Sequence, residues 1–293
     1  MKYRVIVFSL LLSICLVISG QSFEKQRAQF IAFNVGFNGL VGGVGSWINK
    51  SENQDFWNAF AKGFYKGAIG GAVSHVGFSL TSQIRTKRNI AYAWPARLVN
   101  SFGASIVQNA ASNNRMLENL HFNLFVSRLD YYPYSKKFQA RLFTSSIYGI
   151  IVTSRDAKLD LMKSLQSGII YFDSNQNFRS SLVEGAATGQ VSSVGMRSDI
   201  FTSDQEYYDV FAHEMAHIMQ FDRKVAGNAF MIRVDKKAKE KFTIYHKLSK
   251  YIYFDLNGPI FFFAYKFQDN RHNCNFFEQE AEHYSGRRYY GCN

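Results

Sequence analysis

Two histidines stand four residues apart in the stretch Thr202–Arg223, with a glutamate directly after the first: His213-Glu214-Met215-Ala216-His217, an H-E-x-x-H pattern. On an α-helix, residues four apart lie one above the other on the same face, so both imidazoles can aim at one point. A pair of neutral imidazoles suits a zinc ion, which in catalytic sites takes three protein ligands and leaves a position open for water. Glu214 follows the first histidine and is placed to reach such a water rather than the metal. Its chemistry there is that of a general base.

That reading requires a helix, and the flanking residues call for one. Ser203 followed three residues later by Glu206 forms a capping box, which predicts a helix start near Asp204. Val210, Phe211, Met215 and Ile218 surround the histidines with apolar side chains, and neither Pro nor Gly interrupts before Gly227. Burying His, Glu and His in such company is costly unless something binds them. The plainer alternative is two solvated histidines on an ordinary helix.

A third ligand must come from elsewhere in the chain. The stretch Asn273–Tyr290 holds Glu278-Gln279-Glu280-Ala281-Glu282 in a short helical pattern that stops near Gly286. Asn275 could equally make Glu278 a partner in a helix cap, and Glu280 is the next candidate ligand. Together the two motifs resemble the gluzincin metallopeptidases, and the E-x-E-A-E string is similar to the E-x-x-A-D element of the CAAX-protease-like group. The similarity runs over Thr202–Tyr290. It implies that Glu278 completes a zinc site with His213 and His217. It also implies that Glu282, in place of the usual Asp, supports a zinc histidine.

The elements around these motifs divide the chain into three parts. In residues 1–22, Lys2 and Arg4 precede an apolar run from Val5 to about Ile18, followed by Ser19, Gly20, Gln21 and Ser22. This predicts a secretory signal peptide cleaved near Gly20 or Ser22; an uncleaved membrane anchor is the other reading. Residues 23–113 form a glycine-rich helical region. Gly63, Gly67 and Gly71 recur every four residues, as do Gly39 and Gly43, which leaves a smooth stripe for close helix packing or membrane association. A further helix is expected from Ala93 to about Ser112.

Residues 114–293 change period. HFNLFVSRLDYY and part of FQARLFTSSIYGIIVTS read as strands, Asp156–Leu165 as a short helix with Leu159, Met162 and Leu165 on one face, and Gly168–Phe172 as a third strand. A hairpin is expected in VEGAATGQVSSVGMRSD. This lead-in resembles the mixed sheet before the H-E-x-x-H helix in many such peptidases, whose last strand forms the edge that pairs with substrate. The fold expected is therefore α+β: a zincin-like mixed sheet with the H-E-x-x-H helix, preceded by the glycine-rich helices. Phe261-Phe262-Phe263 lie between the two motifs and read as core. His246, His272, His283, Tyr284, Tyr289 and Tyr290 are candidates for stabilising an oxyanion, and no spacing selects among them.

Composition narrows the partners. The formal net charge is +12, with basic clusters at Arg85–Arg88 and Lys236–Lys250, yet no nucleic-acid-binding pattern accompanies them. Solvated faces, or contact with an anionic envelope surface, fit better. Of the three cysteines, Cys15 falls in the leader, and Cys274 and Cys292 remain as a pair that an exported chain can bridge. Taken with the resemblance, these features imply an exported, periplasmic or secreted zinc metallopeptidase acting on a peptide or protein substrate, with peripheral membrane contact through the glycine-rich region. The competing classes are a non-catalytic zinc-binding envelope protein and a membrane-acting effector.

Overall fold

The computed structural model describes residues 23–155, 157–179, 184–185, 187–223, 226–256, 259–260, 264–265 and 274–286. The leader, Phe261–Phe263, His272, Tyr289, Tyr290 and Cys292 lie outside them.

Helices α1 (Phe23–Ile48) and α2 (Phe56–Ser79) form the glycine-rich pair. Asp55 caps α2 by accepting the Asn58 N–H at 2.8 Å. The two helices touch backbone to backbone: a Cβ at Gly67 would stand 2.2 Å from the Asn38 carbonyl oxygen, and one at Gly71 would stand 2.2 Å from that of Asn34. After the short α3 (Ser82–Lys87), helix α4 (Ala93–Ala111) packs on the other side of α2, where Gly70 and Gly77 permit the approach.

Strands β1 (Leu120–Leu124), β2 (Ser127–Tyr132) and β3 (Lys137–Phe143) form an antiparallel meander in the region that alternates apolar and polar residues. The strand reading fails after Phe143, because Thr144–Thr153 is a helix, α5. Its buried side is made of Ser145, Ser146, Gly149 and Thr153, while Ile147, Tyr148 and Ile151 face outward. Ser146 and Thr153 hydrogen-bond to Ser192 and Ser193 at 2.8 and 3.0 Å. A helix packed through small polar residues has no apolar stripe to betray it, so its β-branched and aromatic residues read as strand.

The next helix also begins later than expected. Lys158–Leu159 is strand β4, and Asp160 caps α6 (Leu161–Ser167) by accepting the Lys163 N–H at 2.9 Å. Leu159, Met162 and Leu165 are exposed rather than core-facing. Strands β5 (Ile170–Asp173), β6 (Phe178–Arg179), β7 (Glu184–Gly185), β8 (Ala187–Gln190) and β9 (Ser193–Met196) follow, with β8 and β9 as the expected hairpin. The chain continues through α7 (Asp204–Arg223), α8 (Ala226–Phe230), α9 (Ile232–Lys241), α10 (Thr243–Leu248), β10 (Ile252–Tyr253) and α11 (Phe276–Ser285).

The fold is α+β with two mixed four-stranded sheets, ordered β1-β2-β3-β10 and β4-β5-β9-β8. In the second sheet the edge nearest α7 is β8, and the last strand, β9, is interior. One hydrophobic core joins Phe30 and Phe33 of α1, Phe78 of α2, Phe211, Met215 and Ile218 of α7, and Phe276 and Phe277 of α11. The glycine-rich helices thus pack directly on the helices that carry both motifs.

Candidate metal centre

Helix α7 starts where the capping residues require. Ser203 Oγ accepts the Glu206 N–H at 3.2 Å, and the Glu206 carboxylate accepts both the N–H and the hydroxyl of Thr202 at 2.9 Å. Arg85 donates to Asp209 at 2.7 Å and also to the Gly286 carbonyl, which ties the first half of α7 to the end of α11. Asn275 caps α11 by accepting the Phe277 N–H at 2.9 Å, and Gly286 closes it with φ +77°. The start of α7 and both ends of α11 are thereby fixed, and the two helices face each other across the motif residues.

His213, His217 and Glu278 converge in the buried space between them. The two Nε2 atoms are 3.0 Å apart, and each lies 3.2 Å from Glu278 Oε2. A zinc ion bonded at about 2.0–2.1 Å to tetrahedral ligands holds them roughly 3.3 Å apart, so the triangle has the size such an ion requires. Among the described residues these three form the one cluster of His, Cys, Asp or Glu donors compact enough to hold a metal ion.

The surrounding hydrogen bonds decide which atoms carry protons. The Gln220 amide donates to the Phe277 carbonyl at 2.8 Å and to Glu280 at 3.0 Å, so its oxygen faces His217 Nδ1 at 3.0 Å. Nδ1 must then hold the proton, so that the ring, when neutral, presents the Nε2 lone pair to the centre. At the other histidine, Glu282 Oε1 lies 3.5 Å from Nδ1 and favours a proton on that nitrogen in the same way. Three electron-rich atoms thus point at one spot and demand a positive charge among them. Burial alone would lower the basicity of His217, yet the Glu278 carboxylate, with Glu214 and Gln220, pushes its pKa up to about 9.

Glu278 is held from both ends. Its Oε1 accepts a hydrogen bond from the Tyr265 hydroxyl at 2.8 Å, which leaves Oε2 for the histidines. Burial raises the Tyr265 phenol above its ordinary value, and the Glu278 and Glu214 carboxylates raise it further, so the hydroxyl keeps its proton and donates. Glu214 is buried beside the cluster and packs against β8: a Cβ at Gly189 would stand 2.5 Å from the Glu214 carbonyl oxygen and 3.1 Å from its Oε2. The edge strand therefore passes directly over the central glutamate of H-E-x-x-H.

Of the glutamates considered from sequence, Glu280 points elsewhere. It is fully buried and accepts from Gln220 and, at 3.2 Å, from Asn34 of α1. Tyr284 receives a hydrogen bond from Asn34 at 3.0 Å and sits 2.7 Å from His75 Nδ1, while His283 packs tilted on Phe30 at 4.9 Å between ring centres. Burial lowers the His283 pKa to about 4. His246 is exposed on α10. Cys274 is disulfide-bonded, its partner lying outside the described residues.

Sequence reasoning missed Gln220, Tyr265 and Asn34. Gln220 carried a signal, since it follows His217 by three positions and so shares its helix face. Tyr265 and Asn34 carried none, because they reach Glu278 and Glu280 from separate segments. No family model matches the chain, and no match is found among curated proteins or solved structures.

Proposed function

We propose that the protein is an exported zinc-dependent metallopeptidase of gluzincin type, hydrolysing peptide bonds in a peptide or protein substrate. The observation that carries this reading is the convergence of His213 Nε2, His217 Nε2 and Glu278 Oε2 within 3.2 Å of one another, with Glu214 adjacent. Its supports are the donor set of two imidazoles and one carboxylate, the proton that Gln220 holds on His217 Nδ1 and the spacing of the three atoms. The mixed sheet with β8 laid over Glu214 supports a zincin-like architecture, in which a free strand edge can pair with an extended substrate backbone. The basic and apolar N-terminal residues support export.

A zinc ion held there would supply Lewis acidity to the scissile carbonyl and to a water molecule. His213, His217 and Glu278 would hold the ion. Tyr265 and Gln220 keep Glu278 and His217 in a single orientation, and Glu282 faces the other ring. Glu214 accepts a proton from the attacking water and returns it to the leaving amine.

The test combines metal analysis with one substitution. Purified protein should retain one zinc per chain, and a His213→Ala, His217→Ala double variant should retain none. Glu214→Gln should keep both zinc and fold while peptide hydrolysis drops by about a hundredfold or more. Undiminished cleavage by that variant removes Glu214 as the base, and zinc retained by the double variant ends the site assignment.

A further inference from the structure

Helix α2 is built inside out. Its inward face consists of Ala59, Gly63, Gly67, Gly70, Gly71, Ser74 and Gly77, with Phe78 the one large residue buried at its end, while several large apolar and aromatic residues face solvent. Trp57 is 70% exposed, Tyr65 66% and Val76 53%, with Phe64 alongside. The neighbouring α4 leaves Leu98 and Phe102 exposed. A water-facing helix ordinarily turns such residues inward. Small residues inward and large apolar residues outward is the arrangement of helices whose outer surface meets lipid.

Charge identifies the lipid. From Phe56 to Leu117 the chain contains no Asp or Glu, and Lys62, Lys87, Arg88 and Arg115 of that stretch are exposed, while the half-buried Lys66 donates to the Asn114 carbonyl at 2.8 Å. Trp and Tyr with lysines beside them form the side-chain set of the headgroup layer, where the rings sit at the apolar boundary and the ammonium groups meet anionic lipids. Among the described residues only α1 is long and apolar enough to cross a bilayer. A second copy fits this face less well, because a two-fold contact centred on Lys62 would bring that lysine against its own copy.

We infer that the outer face of α2, extended by α4, docks on an anionic lipid bilayer with Trp57 and Tyr65 at headgroup depth. The docked face would hold the protein at a membrane, whatever the chemistry of the metal centre.

Vesicle flotation and tryptophan quenching test this on the full chain. Phosphatidylcholine vesicles with about one-third phosphatidylglycerol should bind the protein at least tenfold more tightly than pure phosphatidylcholine, with binding weakened by salt. Trp57→Ser with Tyr65→Ser, or Lys62→Glu with Lys66→Gln, should each reduce partitioning by about tenfold or more. Circular dichroism should remain that of the parent. Brominated phosphatidylcholine in anionic vesicles should quench a component of emission that Trp57→Phe removes. This readout separates docking through α2 from any contribution of the N-terminal apolar run. Unquenched Trp57, or variants that partition like the parent, overturns the inference. Loss of a sedimenting dimer in the Trp57, Tyr65 variant, without any vesicle binding by the parent, overturns it in favour of self-association.

Discussion

At the residue scale, the centre depends as much on what holds the donors as on the donors themselves. Gln220 reads three groups at once: its oxygen faces His217 Nδ1, and its amide donates to the Phe277 carbonyl and to Glu280. Gln220→Ala frees the His217 ring to change tautomer and strips a donor from a buried carboxylate. Zinc affinity should fall by about ten- to a hundredfold, measured by competition with a chromogenic chelator, while the three ligands stay in place. Unchanged affinity would mean that packing alone fixes the ring. His213, Glu214 and His217 were legible in the sequence because one helical turn is enough to bring them together. Glu278 became visible only through a resemblance to a family pattern, since its 61-residue separation from His217 obeys no local rule. Tyr265 was not legible at all: its contact with Glu278 is set by how an irregular segment returns to α11, and a Tyr among many aromatics carries no mark of that.

At the scale of elements, the sequence was informative wherever an element announces itself by capping or alternation. Ser203 with Glu206 and Asn275 with Gly286 each led to an observed helix boundary, whereas the alternation of HFNLFVSRLDYY, read as one strand, covers two, β1 and β2, with a turn at Phe125 (φ +51°) between them. It misled where an element packs through small residues. The face that α5 buries is Ser145, Ser146, Gly149 and Thr153, so its exposed Ile and Tyr residues imitate a strand. The α1–α2 contact shows the same economy of size and can be tested by two glycines with opposite expectations. Gly67→Ala places a Cβ 2.2 Å from the Asn38 carbonyl oxygen, where only backbone can yield, and should cost about 3 kcal/mol through forced separation of the helices. Gly36→Ala on α1 meets nothing within 4 Å and should stabilise the helix by about 1 kcal/mol. Urea unfolding of both variants checks the pair; similar effects of the two would show that the close approach does not govern stability.

At the scale of the molecule, buried charge clusters join segments distant in sequence, and they determine how stability should respond to acid. Arg97 of α4 lies 3.7 Å from Asp222 near the end of α7, and Asn123 of β1 donates to the same carboxylate at 2.7 Å. In the first sheet, Asp130 is fully buried between Arg128 at 3.0 Å and Arg141 at 2.6 Å, with Tyr253 of β10 stacked beneath both guanidiniums. Burial by itself would raise the Asp130 pKa, but the two arginines outweigh it and hold the carboxyl well below its ordinary value of 3.8. A carboxylate whose folded pKa is depressed stabilises the fold above its unfolded pKa, and that contribution is lost as pH falls towards the folded value. The urea midpoint of the parent should therefore decline steeply as pH drops below about 4. Asp130→Asn removes the charge at every pH and leaves the buried Arg128 and the half-buried Arg141 without this counter-ion. Stability at neutral pH should fall by about 3–5 kcal/mol, and the acid-dependent slope should flatten by the share that Asp130 supplied. Both quantities come from urea titrations at neutral pH and at successive steps into acid. An unaltered slope in the variant would assign the acid sensitivity to other carboxylates, Asp222 not being a candidate because burial raises its pKa rather than lowering it.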